Sequence, residues 1–228
     1  KVAVVTGAAQ GIGLGIAKLF AEEGAQVMML DINTEVGRAA AAQITNADFF
    51  EADVSKKSVV DATVAKIIEK TGRIDICVNN AGILRAGDVL EISEEDFDTV
   101  LGVNLKGAFL MSQAVGRHMV AAGGGSIINM SSVNGVMTIP NILPYNVSKG
   151  GLDQLTRVMA IALADKGIRV NAIGPGPTLC GDREDPIKYQ HQRNNTVLNR
   201  GSNPSDISVA LGYFIDAPAV TGQLLCVD

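Results

Sequence analysis

Short apolar runs alternate with longer amphipathic stretches along the whole chain. The runs Val2 to Val5, Gln26 to Leu30, Asp48 to Phe50, Ile74 to Val78, Ser126 to Met130, Arg169 to Ala172 and Gln223 to Val227 predict seven strands. Helical periodicity fills the intervals near 12–23, 34–45, 56–71, 94–121, 144–166 and 205–215, with Ser93 and Asp96 spaced as an N-terminal capping pair ahead of Phe97. Such alternation predicts an α/β architecture: one doubly wound domain over 1–228, a parallel sheet of about seven strands with helices on both faces. Gly123-Gly124-Gly125 is expected to turn into the fifth strand. The stretch 174–204 breaks the rhythm, being polar and rich in Pro, Asn and Gly. It is expected to form a substrate loop, with a plain surface excursion as the other reading.

Composition narrows the function classes. With 228 residues, 47% of them hydrophobic and 19% charged, the chain can bury one sizeable core. A net charge of −5, 4% aromatic residues and no Trp give neither the field nor the stacking surface for nucleic acid, and no attraction to an anionic membrane. Cys77, Cys180 and Cys226 lack C-x-x-C spacing, and His118 and His191 are the only histidines, so neither a metal site nor a Ser-His-Asp triad is expected. The apolar run after Lys1 ends at Thr6-Gly7, too short for a secretory signal, and no run approaches a membrane span. The expectation is a soluble, cytoplasmic chain.

Two clusters carry candidate chemistry. Thr6-Gly7-Ala8-Ala9-Gln10-Gly11-Ile12-Gly13 follows a strand and opens a helix. Glycine at 7, 11 and 13 permits positive φ and close approach, while the helix N-terminus presents free N–H groups to an anion such as a pyrophosphate. The alternative is a tight strand-to-helix turn. Asp31 ends the second strand, eighteen residues after Gly13, where a carboxylate accepts from ribose hydroxyls and repels a 2′-phosphate, which selects NAD. Neither Gln10 nor Ile32 brings a cation to offset it; the other reading of Asp31 is a solvated acid capping the next helix. Asp53 and Val54, at the end of the third strand, are placed either to hold the adenine or to make a simple turn. Tyr145 and Lys149 stand four residues apart on one helix face. A phenol with an ordinary pKa near 10 becomes a useful base only beside a cation. One ammonium about 5 Å away contributes roughly 3 kcal/mol at an effective dielectric near 20. Alone, the pair is equally a buried tyrosine with a snorkelling lysine.

Taken together, Thr6 to Gly13, Asn79-Asn80-Ala81-Gly82, Asn104, Ser132, Tyr145-Asn146-Val147-Ser148-Lys149 and Pro175-Gly176 resemble, in order and spacing, the short-chain dehydrogenase/reductase family across essentially the whole chain. The resemblance implies a Rossmann-type domain in which Tyr145 is the general acid/base and Ser132 orients the substrate oxygen. It makes Lys149 the residue that grips the nicotinamide ribose and acidifies the tyrosine, and Asn104 the organiser of a water relay. Ser132 is preferred to Ser131 because thirteen residues separate it from Tyr145, as the family pattern requires. By the same resemblance Gly7, Gln10, Gly11, Ile12 and Gly13 hold the pyrophosphate, Asn80, Ala81 and Gly82 lie beside the cofactor, and Pro175, Gly176 and Thr178 belong to the carboxamide loop. Cys180 stands where the family often has a threonine, which leaves that loop's contribution open.

The implied activity is NAD-dependent interconversion of a secondary alcohol (a polyol, sugar or hydroxylated ring compound) and its ketone. One alternative is reduction of an acyl-carrier ketone, which favours NADP and basic docking residues; the other is a silent dinucleotide-binding sensor. Substrate contacts are expected from Asn134 to Asn141 and from the loop after Gly176. A homotetramer is implied by the resemblance, and the broad apolar faces of the helices near 94–121 and 144–166 agree with it.

Overall fold

The computed structural model describes residues 1–178 and 196–228. Seven parallel strands form one sheet: β1 (Val2–Thr6), β2 (Gln26–Asp31), β3 (Ala47–Glu51), β4 (Ile76–Asn79), β5 (Gly125–Met130), β6 (Ile168–Pro175) and β7 (Leu224–Val227), in the order β3-β2-β1-β4-β5-β6-β7. The α-helices among the described residues are α1 (Gly11–Glu22), α2 (Thr34–Ala41), α3 (Lys57–Thr71), α4 (Glu94–Leu101), α5 (Ala108–Ala121), α6 (Leu143–Leu163) and α7 (Pro204–Asp216).

Side chains alternate across each strand, and both faces are covered. Val2, Val4, Met28 and Leu30 pack with α3, α5 and α6 through Val64, Met111, Val115 and Ala160. Ala3, Val5, Val27 and Met29 pack with α1 and α7 through Ile16, Phe20, Leu211 and Phe214. Among the described residues no helix is long and apolar enough to cross a membrane.

Several boundaries differ from the pattern in the sequence. β4 starts at Ile76 because Asp75 is used otherwise: its carboxylate accepts from Val2 N at 2.7 Å. The second helix stops at Ala41, where the chain turns through Gln43 and Ile44 and then through Asn46 at φ +62°. The helix expected over 94–121 is interrupted by a π-helical turn, Gly102–Gly107. Gly107 lets this turn lie on Val54, since a Cβ there would come within 2.8 Å of Val54 Cγ2. Ser93 caps α4 by accepting from Asp96 N at 3.1 Å. At the edges of the expected loop 174–204, β6 continues to Pro175 and α7 opens at Pro204, and the greater part of that expectation, residues 179–195, lies outside the described residues. A bridge between Thr178 and Ser202 joins its two ends, while Cys180 and His191 lie outside the described residues.

Polar groups buried by the covered sheet are joined in a chain. Asn79 Nδ2 donates to Ser112 Oγ and to Asn129 Oδ1, each at 2.8 Å, and Asn129 Nδ2 donates to Thr156 Oγ1 at 2.9 Å. These bonds tie β4 and β5 to α5 and α6 under the C-terminal edge of the sheet. A buried donor left without its acceptor costs more than an average hydrogen bond contributes. Asn129→Ala is therefore expected to destabilise the chain by about 2–3 kcal/mol, read as a lower urea midpoint at unchanged slope; an unchanged midpoint would show that the chain of amides is dispensable.

Candidate active site

The strand order reverses at β1, which has β2 on one side and β4 on the other. Connections leaving the C-terminal ends of β1 and β4 diverge to opposite faces, and a crevice opens between them. Thr6 Oγ1 accepts from Asn80 N and Ala81 N, both at 3.0 Å, while Asn80 Nδ2 donates to the carbonyls of Thr6 and Gly7, also at 3.0 Å. The two loops are thereby fixed to each other.

Gly7 and Gly11 adopt φ of +63° and +59°, as expected of a glycine cradle. Gly13 does not use positive φ; it provides space, because a Cβ there would sit 2.2 Å from Gly7 O. The N-terminus of α1 has no side-chain cap from Gln10 and no acid in its first turn. Its amides and positive dipole end are thus left to an incoming anion.

A cavity of about 1030 Å3 lies here, lined by Gly7, Gln10, Gly11, Ile12, Asp31, Asp53, Val54, Asn80, Ala81 and Gly82, among others. Asp31 is oriented by two amides, Oδ2 accepting from Ala9 N and Oδ1 from Asn33 N, each at 3.0 Å. It does not cap α2; Asn33 does, accepting from Val36 N. Asp53 lies beyond the end of β3 and makes a turn, accepting from the amide and hydroxyl of Ser55. Val54 is mostly core. Gly82 makes only ordinary contacts if given a Cβ, so nothing in the protein demands glycine there; the space it leaves faces the cavity. These features fit a dinucleotide, whose phosphates need the bare cradle and whose ribose needs the oriented carboxylate.

The second cluster begins where the first ends. A Cβ at Gly82 would lie 3.6 Å from Lys149 Nζ and 3.5 Å from Asn104 Oδ1. Lys149, only 4% exposed, donates to Met130 O at 2.6 Å and stands 5.4 Å from the centre of the Tyr145 ring. Burial pushes its pKa down to about 8, against the opposing pull of Asp153. Tyr145 is hydrogen-bonded by the Ser132 hydroxyl, which lowers its pKa, yet burial outweighs this and the net direction is upward. Removing the ring from water thus costs more than its polar neighbours return.

Ser132 Oγ also accepts from Asn134 N at 3.1 Å, whereas the Ser131 hydroxyl donates to Lys149 O at 3.4 Å. The Asn104 side chain is fully engaged, with Oδ1 accepting from Ile83 N and Nδ2 donating to Ile83 O and Ser148 Oγ at 2.8–3.0 Å. Ser148 in turn donates to Tyr145 O. As placed, the Asn104 amide braces the helix that carries Tyr145.

Tyr145, Ser132, Lys149 and Asn104 do not line the cavity itself; Lys149 and Asn104 adjoin it at Gly82. Pro175, Gly176 and Thr178 also lie off its wall. Gly176 packs against Asp228, and Thr178 Oγ1 donates to Gly176 O. Sequence reasoning missed Ile83, Lys56, Asp98, Thr99, Val103 and Lys106 on the cavity wall, as well as Ser148 and Met130 as bracing partners. Only the glycines at 102 and 107, inside a helical pattern, signalled the π turn.

Comparison with known proteins agrees with this geometry. The family model described as "Enoyl-(Acyl carrier protein) reductase" matches residues 7–228. The chain is 41% identical to D-threitol dehydrogenase of Mycolicibacterium smegmatis, covering 100% of this chain and 91% of that one. It is 42% identical to NAD-dependent glycerol dehydrogenase of Listeria innocua (100% and 92%) and 36% identical to a 3-oxoacyl-(acyl-carrier-protein) reductase of Chlamydia muridarum (100% and 96%). The crystal structure of 3-ketoacyl-(acyl-carrier-protein) reductase from Brucella melitensis complexed with NADH superposes with a TM-score of 0.94 at 33% identity, covering 100% of this chain and 96% of that one. A crevice at the strand reversal, a glycine cradle, a Tyr-Ser-Lys cluster beside it and full-length similarity to these enzymes make the chain a member of the short-chain dehydrogenase/reductase family, an oxidoreductase of alcohol and keto groups.

Proposed function

We propose that the chain is an NAD-dependent dehydrogenase that interconverts a secondary alcohol, of the polyol, sugar or hydroxylated-ring class, and its ketone. The observation that carries this reading is the approach of the Lys149 ammonium to the Gly82 edge of a cavity that is also lined by Asp31, with Tyr145 beside the same ammonium and within the influence of Ser132. In this reading Gly7, Gln10, Gly11, Ile12 and Gly13 hold the pyrophosphate, Asp31 the adenosine ribose, and Asp53 and Val54 the adenine side. Asn80, Ala81 and Gly82 flank the nicotinamide half, and Pro175, Gly176 and Thr178 close over it. Bound NAD supplies the acceptor for the carbon-bound hydrogen and a fixed positive charge beside the phenol.

Tyr145 Oη exchanges the hydroxyl proton with substrate, and Ser132 Oγ holds the substrate oxygen through the change in its charge. Burial makes the phenol a weaker acid than free tyrosine, so the chain by itself presents it as a proton donor. Acting as a base requires positive charge close by, which Lys149 provides while it stays protonated. Asn104 and Ser148 hold the helix start on which Tyr145 rides.

A second reading, reduction of a ketoacyl carrier substrate, is favoured by the names of several relatives. Cofactor preference does not separate the two, since that reductase was crystallised with NADH. We place the enzyme in the cytoplasm and infer a homotetramer. Phe109 and Val120 on α5 and Val158 and Ile161 on α6 support the assembly, being apolar and exposed on the single chain.

Screening polyols, sugars and cyclic alcohols with NAD, against a 3-oxoacyl thioester with reduced cofactor, is expected to give turnover on the alcohols; turnover on the thioester alone selects the second reading. Tyr145→Phe is expected to lower kcat by at least about a hundredfold while the Kd for NAD stays within a few-fold. Wild-type turnover in that variant would remove Tyr145 from the chemistry. Asp31→Ser is expected to raise kcat/KM with NADP relative to NAD by about tenfold or more, through loss of repulsion of the 2′-phosphate. An unchanged ratio would place the discrimination elsewhere.

Lys149 also makes a signed prediction about stability. Folded, it releases its proton near 8; unfolded, near 10.5. Between those values the unfolded chain binds more protons, so stability rises with pH across this window. The penalty, roughly 3 kcal/mol, is fully present below about pH 8 and fades toward 10.5. Lys149→Met, measured without cofactor by urea unfolding, is expected to lose the rise in stability that wild type shows between about pH 8 and 10.5. A variant whose stability climbs across that window as wild type does would mean that no buried charge is carried there.

A further inference from the structure

One buried acid has no part in the chemistry so far. Asp153 follows Lys149 by one helical turn on α6 and is 5% exposed. One of its oxygens, Oδ1, has no hydrogen-bond partner among the described residues, an expensive arrangement inside a protein unless the charge serves a neighbour. The other oxygen lies against the 3-10 turn Val133–Gly135, the segment that follows Ser132. A Cβ at Gly135 would be 2.5 Å from Asp153 Oδ2 and 3.1 Å from Ser131 Oγ. Ser131, whose hydroxyl donates to Lys149 O at 3.4 Å, favours the charged form of the same carboxylate. Asp153 therefore touches the strand end that presents Ser132 and shares a helix face with the lysine beside Tyr145.

We propose that Asp153 is a positioning residue: its buried carboxylate serves as the counter-charge of the Lys149 ammonium and braces the 131–135 turn, acting on the reaction only through those two neighbours. Lys149 needs such a partner. Among the described residues it donates to a neutral carbonyl, and Asn104 and Gly82, packed on it from other elements, are uncharged. On its own helix it faces Tyr145 and Asp153. Asp153 faces Lys149 and Arg157 on α6 and, from β7, Cys226, whose thiol is itself raised by burial and by the carboxylates of Asp153 and Asp228. Burial of Lys149 lowers its proton affinity and Asp153 opposes that fall. Removal of the carboxylate's charge lets Lys149 discharge at lower pH.

This inference rests on the reading of Lys149 as the cation that serves Tyr145, and it is tested apart from that reading. The ε-carbon signal of Lys149 is followed by NMR against pH in lysine-labelled protein without cofactor, assigned with Lys149→Met. In Asp153→Asn the midpoint is expected to move below its wild-type value by about half a pH unit or more. The alkaline limb of kcat/KM should move down by the same amount, and the Kd for NAD should weaken above pH 7. In the wild-type protein the same signal should show a second, smaller step on the acid side as Asp153 takes up its proton, which tests the coupling even if the variant does not fold. An unmoved Lys149 midpoint in Asp153→Asn, or no acid step in wild type, overturns the inference. A shifted midpoint in a protein that oxidises no alcohol leaves the Asp153–Lys149 coupling standing and removes the functional reading instead.

Discussion

Two amide hydrogens of Asn80, shared between the carbonyls of Thr6 and Gly7, hold together the two loops that leave the sheet at its reversal of strand order. A parallel sheet covered on both faces has no polar surface to offer except at strand ends, and there the backbone groups of successive loops must find partners. At this edge they find one another across the crevice. Gly7 can then take a left-handed conformation, Gly13 can approach within contact of its carbonyl, and α1 can begin without a cap. A side chain in any of these places would fill the space that phosphates need.

The neighbouring cluster is governed by burial. Tyr145 and Lys149 are both moved by removal from water, the phenol upward and the ammonium down to about 8. Each shift disfavours the charged form. The protein counters them with fixed dipoles and hydroxyls: Met130 O for the lysine, Ser132 for the tyrosine, and Asn104 with Ser148 to keep the helix start in place. Under the proposed function, such a pair depends on charge brought by its partners.

The π turn at Gly102–Gly107 shows how a local irregularity serves that pair. An uninterrupted helix over 94–121 would carry one regular register from end to end. The wider turn, accommodated by Gly107 against Val54, brings Asn104 to Ile83, where its amide bonds both the N–H and the carbonyl. Such turns are frequent at functional sites because they reorient a side chain without ending the helix.

Periodicity alone determined the seven strands, their alternation with helices and the two-sided core, because burial repeats every two or every 3.6 residues and leaves its trace in the chain. Spacing determined the cradle and the Tyr145–Lys149 pair, since both lie within one turn or one loop and need only local geometry. The positions of Ser131 and Ser132 on opposite sides of the strand end, the engagement of Asn104 with Ile83, the bracing by Met130 and Ser148, and the cavity wall at Lys56, Asp98 and Lys106 were decided only by the tertiary structure. Their partners lie up to dozens of residues away and meet through the crossover of β4 past β1. The direction of the Tyr145 shift belongs there too: spacing supplies the neighbouring cation, but the desolvation that opposes it exists only once the sheet and helices have closed around the ring.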